Sequence, residues 1–285
     1  MTNLSTKSKI IVYTKRLFSY IILILLTSIC LFIFYLLFEN ATRYNADIRQ
    51  GFSLLPSSGF FYNFSNLNSE REIPIFSGLG NSLFISIGVA FLSSYFSALT
   101  AYGIHMYRFR LRRFAYVFIL LLMMVPTQVA ALGFVKMMYD WNLNNSFIPF
   151  IIPSISSPII FFFMKQYLES TLPFEIVESA RVDGSSEIRT FHQIVLPIMK
   201  PALAVQAIFA FVSSWNNYFL PSILLTDRDK KTVPILIGLL RSMDDKTDLG
   251  MIYMMILIGV IPSIIIYLFL SRFIIKGVTF GSVKG

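Results

Sequence analysis

Six stretches of about 20 or more apolar residues divide the chain, with polar segments between them. By residue number they cover 17–38, 81–106, 114–138, 147–167, 202–225 and 251–275. A helix of about 20 predominantly apolar residues is long enough to cross a lipid bilayer. The pattern therefore predicts an all-α integral membrane protein with six transmembrane helices.

The first apolar stretch follows four basic residues within segment 1–16. It is longer than the apolar core of a signal peptide and ends without a small-residue cleavage site. We therefore interpret residues 17–38 as an uncleaved transmembrane helix. The next segment, 39–80, is polar and aromatic and contains Pro56 and Gly59, which predicts a sizeable extracytoplasmic loop.

The second stretch carries small residues at a regular spacing. One row comprises Ser82, Ser86, Ala90, Ser94 and Ala98, and a parallel row comprises Ser93, Ser97 and Ala101. Small side chains at this spacing let helix backbones approach closely inside a membrane. We therefore expect the second helix to pack against other helices instead of facing lipid.

Proline occurs inside the third, fourth and sixth stretches, with Pro126 in the middle of the third. A proline inside a helix removes a backbone hydrogen bond and kinks the helix. Kinked helices suit a protein with an internal cavity, but they also occur in inert bundles. The pattern predicts a kink at Pro126 without deciding between these two roles.

The composition agrees with a lipid environment. Hydrophobic residues make up 55% of the 285 residues and charged residues 14%, with a mean hydropathy of +0.68. A soluble domain carries about 25% charged residues. The net charge of +9 would suggest nucleic acid for a soluble protein, but basic residues of a membrane protein collect in its cytoplasmic loops. We therefore expect the lipid bilayer, and no nucleic acid, as a partner.

The positions of the basic residues indicate the orientation. Fifteen of the 24 lysines and arginines lie in the N-terminal segment, in the loops 105–113 and 165–201, and in the C-terminal tail. Four of them, from Arg108 to Arg113, lie in a very short loop, where the positive-inside rule is strongest. We therefore expect both termini in the cytoplasm, which requires an even number of transmembrane helices.

Few residues are suited to catalysis or metal binding. The chain has one cysteine, Cys30, and two histidines, His105 and His192, without metal-binding spacing. It contains no G-x-x-x-x-G-K-[ST] loop to bind the phosphates of ATP. No acidic residue lies in the middle of a stretch, as proton-coupled carriers commonly require. We expect no catalytic residue, no metal and no cofactor in this chain.

The segment 169–201, between the fourth and fifth stretches, predicts two short amphipathic helices. Pro173 opens the first, and Gly184 supplies the sharp turn after it. Ser185 or Ser186 caps the second. Acidic residues balance the arginines of this segment, whereas helices that lie on lipid are usually basic. We therefore favour a protein partner for this loop over the lipid surface.

The same segment carries a recognisable signature. The run Glu178-Ser-Ala-Arg-Val-Asp-Gly184, followed by Phe191, Ile194, Leu196-Pro197 and Pro201, resembles the cytoplasmic loop of binding-protein-dependent ABC importer permeases. The family pattern begins Glu-Ala-Ala, and here Ser179 replaces the first alanine. The run Trp215-Asn-Asn-Tyr-Phe-Leu-Pro221 is similar to a segment of carbohydrate importer permeases, and the tail 273–285 is similar to maltose-type (MalG-like) permeases. The resemblance covers the chain from about residue 78.

The resemblance implies that the chain consists of a transmembrane domain, a coupling loop within it and a cytoplasmic tail. Residues 81–275 would form the transmembrane domain of five helices, with residues 169–201 as its coupling loop and 276–285 as a cytoplasmic tail. It implies that the coupling loop docks on a separate ATPase subunit through Glu178, Ser179, Ala180, Asp183 and Gly184. The framework of the loop would be Pro173, Phe191, Leu196, Pro197 and Pro201. Lys284 and Gly285 of the tail would also contact the ATPase.

The resemblance also implies an assembly in the bacterial cytoplasmic membrane. Its expected parts are a second homologous permease, two ATP-binding subunits that hold ATP and Mg²⁺, and an extracytoplasmic sugar-binding lipoprotein or periplasmic protein. The function implied is import of a carbohydrate, with an oligosaccharide as the expected substrate. The alternatives are a permease for a non-sugar solute and an ion-coupled secondary transporter. A membrane-embedded enzyme would need a surface cluster of acids, histidines or cysteines, which the sequence does not show.

Four residues are candidates for the substrate pathway. Trp215, Asn216 and Asn217 lie together in the fifth stretch, and Gln128 lies beside Pro126 in the third. Sugar sites favour aromatic faces and amide hydrogen bonds. Polar side chains in transmembrane helices also bond neighbouring helices, and that structural role is the alternative for these four residues.

Overall fold

The computed structural model describes residues 6–70, 72–242 and 248–281 of the chain. Within these ranges the chain forms fourteen α-helices and no β-strand. The helices are α1 Thr6–Ala41, α2 Asn45–Gln50, α3 Phe60–Ser69, α4 Ile75–Met106, α5 Arg112–Leu122, α6 Thr127–Asp140, α7 Ile148–Ile151, α8 Pro158–Thr171, α9 Phe174–Val182, α10 Glu187–Thr190, α11 Leu196–Trp215, α12 Phe219–Leu224, α13 Val233–Arg241 and α14 Leu249–Gly281.

Five helical segments of the described chain are long and apolar enough to cross a membrane. They are Val12–Ala41, Ile75–Met106, Ile148–Thr171, Glu187–Trp215 and Leu249–Phe273. A sixth crossing is formed if α5 and α6 are counted together, although these two helices are bent by 94° relative to each other. The prediction of an all-α membrane protein is therefore confirmed, with one of its six crossings broken.

The break between α5 and α6 replaces the kink predicted at Pro126. Before the proline the helix tightens, since the N–H groups of Met123 and Met124 bond the carbonyls of Leu120 and Leu121, three residues earlier. Pro126 itself is extended, with φ −63° and ψ 122°. Because proline has no N–H and restricts the residue before it, the helix stops here and a new one starts at Thr127.

The fifth crossing differs at both ends from its predicted range, 202–225. It begins at Glu187, because α10 continues through a π-helical turn at Phe191–Val195 into α11. The sequence had suggested a separate second short helix in the coupling loop. In the structure this helix, α10, is instead continuous with α11. At its other end the helix stops at Trp215, and α12 follows after a break.

Two compact units make up the structure. The first comprises Met1–Ser69 with Leu240–Ile258, and the second comprises Glu70–Leu239 with Gly259–Gly285. In the first unit, the buried amide of Asn63 donates hydrogen bonds to the carbonyls of Ala41 and Arg43, at 2.9 and 2.8 Å. These bonds hold α3 against the end of α1. The predicted loop 39–80 therefore contains two helices of its own, and α4 starts six residues earlier than expected.

The second unit is organised around α4. Both rows of small residues on this helix are buried, from Ser82 to Ala101. The helix lies against α8 and α11, and its start lies against α13. Small side chains leave room for close backbone approach. The predicted packing role of this helix is confirmed.

Trp215 joins α11 to α14 within the second unit. Its ring is 3% exposed and stacks on Phe211, with ring centroids 5.6 Å apart. Its indole Nε1 donates a hydrogen bond to the carbonyl oxygen of Gly259, at 3.0 Å. A hydrogen bond between helices in a membrane stabilises them by about 0.5–2 kcal/mol. Trp215 is therefore a packing residue.

We predict that Trp215→Phe lowers the free energy of unfolding by about 1–2 kcal/mol, since it removes the indole donor and leaves a smaller ring. The matched control is Trp141→Phe, because the side chain of Trp141 is 61% exposed. Thermal denaturation of the purified protein in mild detergent measures both variants. Equal melting temperatures for the two variants would contradict the packing role of Trp215.

Candidate functional site

Helix α9 of the coupling loop has one buried and one open face. Val177 is fully buried, and Ala180 is 7% exposed. The open face carries a shallow depression of about 390 Å³, lined by Glu175, Glu178, Ser179, Val182 and Asp183. Three of the residues predicted to dock on an ATPase therefore lie on this open face. Ala180, in contrast, points into the protein, so its side chain serves packing within the chain.

The turn after α9 is a Schellman motif, a helix end closed by two reversed hydrogen bonds. The N–H of Ser185 bonds the carbonyl of Ala180 at 2.9 Å, and the N–H of Gly184 bonds that of Arg181 at 3.0 Å. Gly184 has φ +77°, a left-handed conformation that glycine adopts without strain. No described atom lies within 4 Å of the position where a Cβ would stand. The space above Gly184 is therefore open to a partner.

The helix after this turn begins with a cap. The hydroxyl of Ser186 accepts a hydrogen bond from the N–H of Arg189 at 3.4 Å, which selects Ser186 from the two predicted caps. Phe191, predicted as a framework residue, is 1% exposed, and its ring packs 5.6 Å from that of Tyr102 on α4. Phe191 therefore fixes the base of the coupling loop to α4.

The other framework residues lie at helix boundaries. Pro173 is extended and directly precedes α9, which is the place predicted for it. Leu196 and Pro197 begin α11, and Pro201 lies inside that helix. These prolines do not interrupt the helix from Glu187 to Trp215. The π-helical turn directly before Leu196 is wider than an α-helical turn, and such turns are frequent near functional sites.

A polar cluster ties α9 and α10 to the end of α4. Arg181 Nε lies 2.7 Å from Glu187 Oε1, and the Tyr102 hydroxyl donates to Glu187 Oε2 at 2.9 Å. The guanidinium of Arg181 also lies over the ring of Tyr107, 5.4 Å from its centroid. The hydrogen bond with the Glu187 carboxylate raises the pKa of Arg181 above its usual value. Arg181 thus pairs with Glu187, which lies on the other side of the turn that follows α9.

A second contact holds the start of α9. The ring of His105, at the end of α4, stacks on Phe174 with centroids 4.9 Å apart. His105 Nε2 lies 3.2 Å from the carbonyl oxygen of Leu172, within hydrogen-bonding distance. Both ends of α9 are therefore attached to α4. A displacement of α9 would act directly on this helix.

The second unit also contains a partly open cavity of about 610 Å³, a volume typical of small-molecule sites. Its walls are formed by α4, α6, α8 and α11 together with the segments next to them. Serine hydroxyls are numerous in the lining, including those of Ser82, Ser86 and Ser93 on α4. None of the described lining residues is charged. The cavity is therefore uncharged, with hydroxyl and amide groups set in a mainly apolar wall.

One of the four predicted pathway residues, Asn217, lines this cavity. Trp215 is a packing residue, and the side-chain N–H of Asn216 bonds the carbonyl of Val212 at 3.0 Å, within its own helix. Gln128 is exposed, and its amide oxygen lies 3.3 Å from the Thr127 hydroxyl, which lines the cavity. Lys284 and Gly285, predicted as ATPase contacts, lie outside the described residues.

Sequence reasoning missed Gln206 and the serines of α4 as lining residues. The serines belong to the small-residue rows, whose spacing indicated packing alone. Gln206 is the one amide within the apolar run of α11, and an isolated amide in such a run was a usable signal.

Comparison with known proteins gives consistent matches. A family model described as "Binding-protein-dependent transport system inner membrane component" matches residues 90–279. The arabinooligosaccharides transport system permease protein AraQ of Halalkalibacterium halodurans is 34% identical over 84% of this chain and 85% of its own length. The lactose transport system permease protein LacG of Rhizobium radiobacter is 28% identical over 93% of this chain and 95% of its own length.

Two further similarities extend over nearly the whole chain. The sn-glycerol-3-phosphate transport system permease protein UgpE of Shigella flexneri is 28% identical over 92% of this chain and 95% of its own length. A solved structure of a bacterial ABC transporter involved in the import of the acidic polysaccharide alginate matches with a TM-score of 0.75 and 21% identity. That match covers 95% of this chain and 99% of the other, and it establishes the fold.

We predict that Glu187→Ala loosens the coupling loop, because it removes the partner of both Arg181 and Tyr102. The cluster is partly exposed, so its loss costs about 1 kcal/mol, which corresponds to roughly five-fold faster hydrogen exchange of the α9 amides. The matched control is Glu178→Ala, whose carboxylate forms no ion pair within the described chain. Hydrogen–deuterium exchange with mass spectrometry measures both. Equal exchange rates in α9 would show that the cluster does not hold the loop.

Proposed function

This chain belongs to the family of binding-protein-dependent transport system inner membrane components, and from that membership we propose that it is a permease subunit importing a neutral carbohydrate. Members of this family are transport subunits and not enzymes. The energy would come from two separate ATP-binding subunits, which hold ATP and Mg²⁺. A second homologous permease and an extracytoplasmic sugar-binding protein would complete the assembly.

The orientation belongs to the same proposal. With both termini in the cytoplasm, the coupling loop faces the compartment that contains ATP. The excess of basic residues in the segments on that side supports this orientation.

The observation that carries the proposal is the arrangement of α9. Its open face offers acidic and small residues to a partner, while its buried face and both its ends are attached to α4. The same helix, α4, lines the cavity with its serines. A force applied by an ATPase on α9 would therefore reach the cavity wall through one continuous helix. This is the geometry that alternating access needs.

The uncharged lining favours a neutral substrate. A phosphate or carboxylate inside the membrane requires a cationic or metal partner, since desolvation of an unpaired charge is very costly. None of the described lining residues supplies one. Of the solutes named for the similar proteins, arabinooligosaccharides and lactose are neutral, whereas sn-glycerol-3-phosphate and alginate are charged. We therefore place a neutral oligosaccharide ahead of a phosphorylated solute.

We predict that the chain, tagged and purified from its native host in mild detergent, carries its partners with it. Mass spectrometry should identify an ATP-binding subunit, a second permease and a solute-binding protein. A known ABC importer, purified in the same detergent, is the control for intact assemblies. Recovery of this chain alone under those conditions would contradict docking through the coupling loop and would favour an ion-coupled carrier.

We also predict that Gly184→Leu detaches the ATP-binding subunit and abolishes uptake, while the chain still inserts into the membrane. A leucine at φ +77° costs about 1–2 kcal/mol and occupies the open space above the turn. Gly184→Asn distinguishes the effect of backbone strain from the effect of an added side chain, because asparagine tolerates the left-handed conformation but still adds a side chain. Co-purification of the ATP-binding subunit and uptake of lactose and arabinotriose measure both variants.

The matched control is Gly51→Leu. Gly51 also has a positive φ, +126°, and nothing described lies within 4 Å of a Cβ there. The backbone strain is therefore introduced away from the coupling loop, and the ATP-binding subunit should be retained. Full uptake by Gly184→Leu would refute the docking role of this turn.

A further inference from the structure

Gln206 stands out on α11 as a buried amide without a partner. Its side chain is 7% exposed and lines the cavity. Within the described part of the chain, no hydrogen bond is formed by its amide. An unpaired amide in an apolar environment costs about 1–3 kcal/mol, so buried amides are normally bonded. The donor and acceptor of Gln206 are therefore available to a molecule in the cavity.

Thr232, between α12 and α13, also lines the cavity and is 5% exposed. Its Oγ1 has no hydrogen-bond partner among the described residues, but this oxygen is itself buried, so a molecule in the cavity does not reach it. The hydrogen-bonding capacity that faces the cavity is therefore that of the Gln206 amide and of the neighbouring serine hydroxyls.

The remaining lining suits a polyhydroxylated molecule. From Ser82 to Ser93 the cavity follows α4 over twelve residues, which corresponds to about 16 Å of helix. The Ser86 and Ser214 hydroxyls are 3.4 Å apart, a long contact that leaves them free to bond a ligand instead. Phe134 and Phe150 add apolar ring surface. Neutral donors and acceptors beside aromatic rings match the hydroxyl groups and C–H faces of a sugar.

We infer that this chain itself forms a carbohydrate-binding subsite, in which the Gln206 amide hydrogen-bonds hydroxyl groups of the sugar. The inference rests on the proposed function, since it takes the solute to be a carbohydrate. It makes this subunit a direct contributor to solute recognition and not only a partner of the second permease. The amide would offer both a donor and an acceptor.

The test uses the complete complex in proteoliposomes and radiolabelled lactose or arabinotriose, whichever the wild type transports. Sugar affinity in uptake is set largely by the external binding protein, so two other quantities are measured. They are equilibrium binding of the labelled sugar to the complex without its binding protein, and the number of sugars moved per ATP hydrolysed. We expect Gln206→Leu to weaken direct binding about ten-fold and to lower the sugar-to-ATP ratio.

Two variants accompany Gln206→Leu. Gln206→Asn keeps an amide and should recover part of the binding. Gln166→Leu makes the same chemical change at an exposed glutamine of α8 that does not line the cavity, and it should behave as the wild type. Stimulation of ATP hydrolysis by the loaded binding protein should persist in all three, which shows that the complexes are assembled.

Gln206→Met keeps the length of the side chain and removes only its amide, so it tests the subsite even if Gln206→Leu fails to assemble. We expect weaker sugar binding here too. Wild-type binding and an unchanged sugar-to-ATP ratio in both Gln206→Leu and Gln206→Met would overturn the subsite and leave the proposed function intact. A wild-type complex that transports sn-glycerol-3-phosphate but neither sugar would overturn the proposed function and the subsite with it.

Discussion

The close approach of α4 to α8 and α11 is the constraint on which the second unit depends. In a membrane, lipid is as apolar as the side chains, so helices associate through tight packing and hydrogen bonds instead of through burial of apolar surface from water. Small residues on α4 make that approach possible along most of the helix. A large side chain at Ser86 or Ala98 would separate the helices. The serines that allow this packing also place their hydroxyls on the cavity wall. One helix, α4, therefore both holds the unit together and lines the cavity.

Because α4 is central, it also connects the two candidate sites. Its end holds the coupling loop through Tyr102 and His105, and Ser93 lines the cavity nine residues before Tyr102. That separation corresponds to about 14 Å of continuous helix. The attachment is made by side chains and not by a flexible linker. A partner that shifts α9 therefore shifts the wall of the cavity, which gives the transmission of force a structural basis.

The features predicted correctly from the sequence are local or periodic. Apolar runs located the membrane crossings, and Pro173 and Gly184 marked the start and the end of α9, because caps and turns depend on adjacent residues. The cap of the next helix was narrowed to Ser185 or Ser186. The features that the sequence did not indicate concern tertiary structure. The ion pair of Arg181 with Glu187 crosses a turn, so no helical spacing pointed to it, and the complete break before Thr127 needed more than the presence of a proline. The helix faces that line the cavity are determined by how the helices pack against one another, which the sequence does not show. Of the two lining amides Asn217 and Gln206, only Asn217 was therefore predicted.

The unpaired amide of Gln206 is better explained by ligand binding than by the stability of the fold. The amide at position 206 forms no hydrogen bond among the described residues, although α11 is otherwise apolar around it. Natural folds depart from local packing rules mainly where a site requires it. A neutral, hydroxyl-rich molecule in the cavity would hydrogen-bond this amide without introducing a charge.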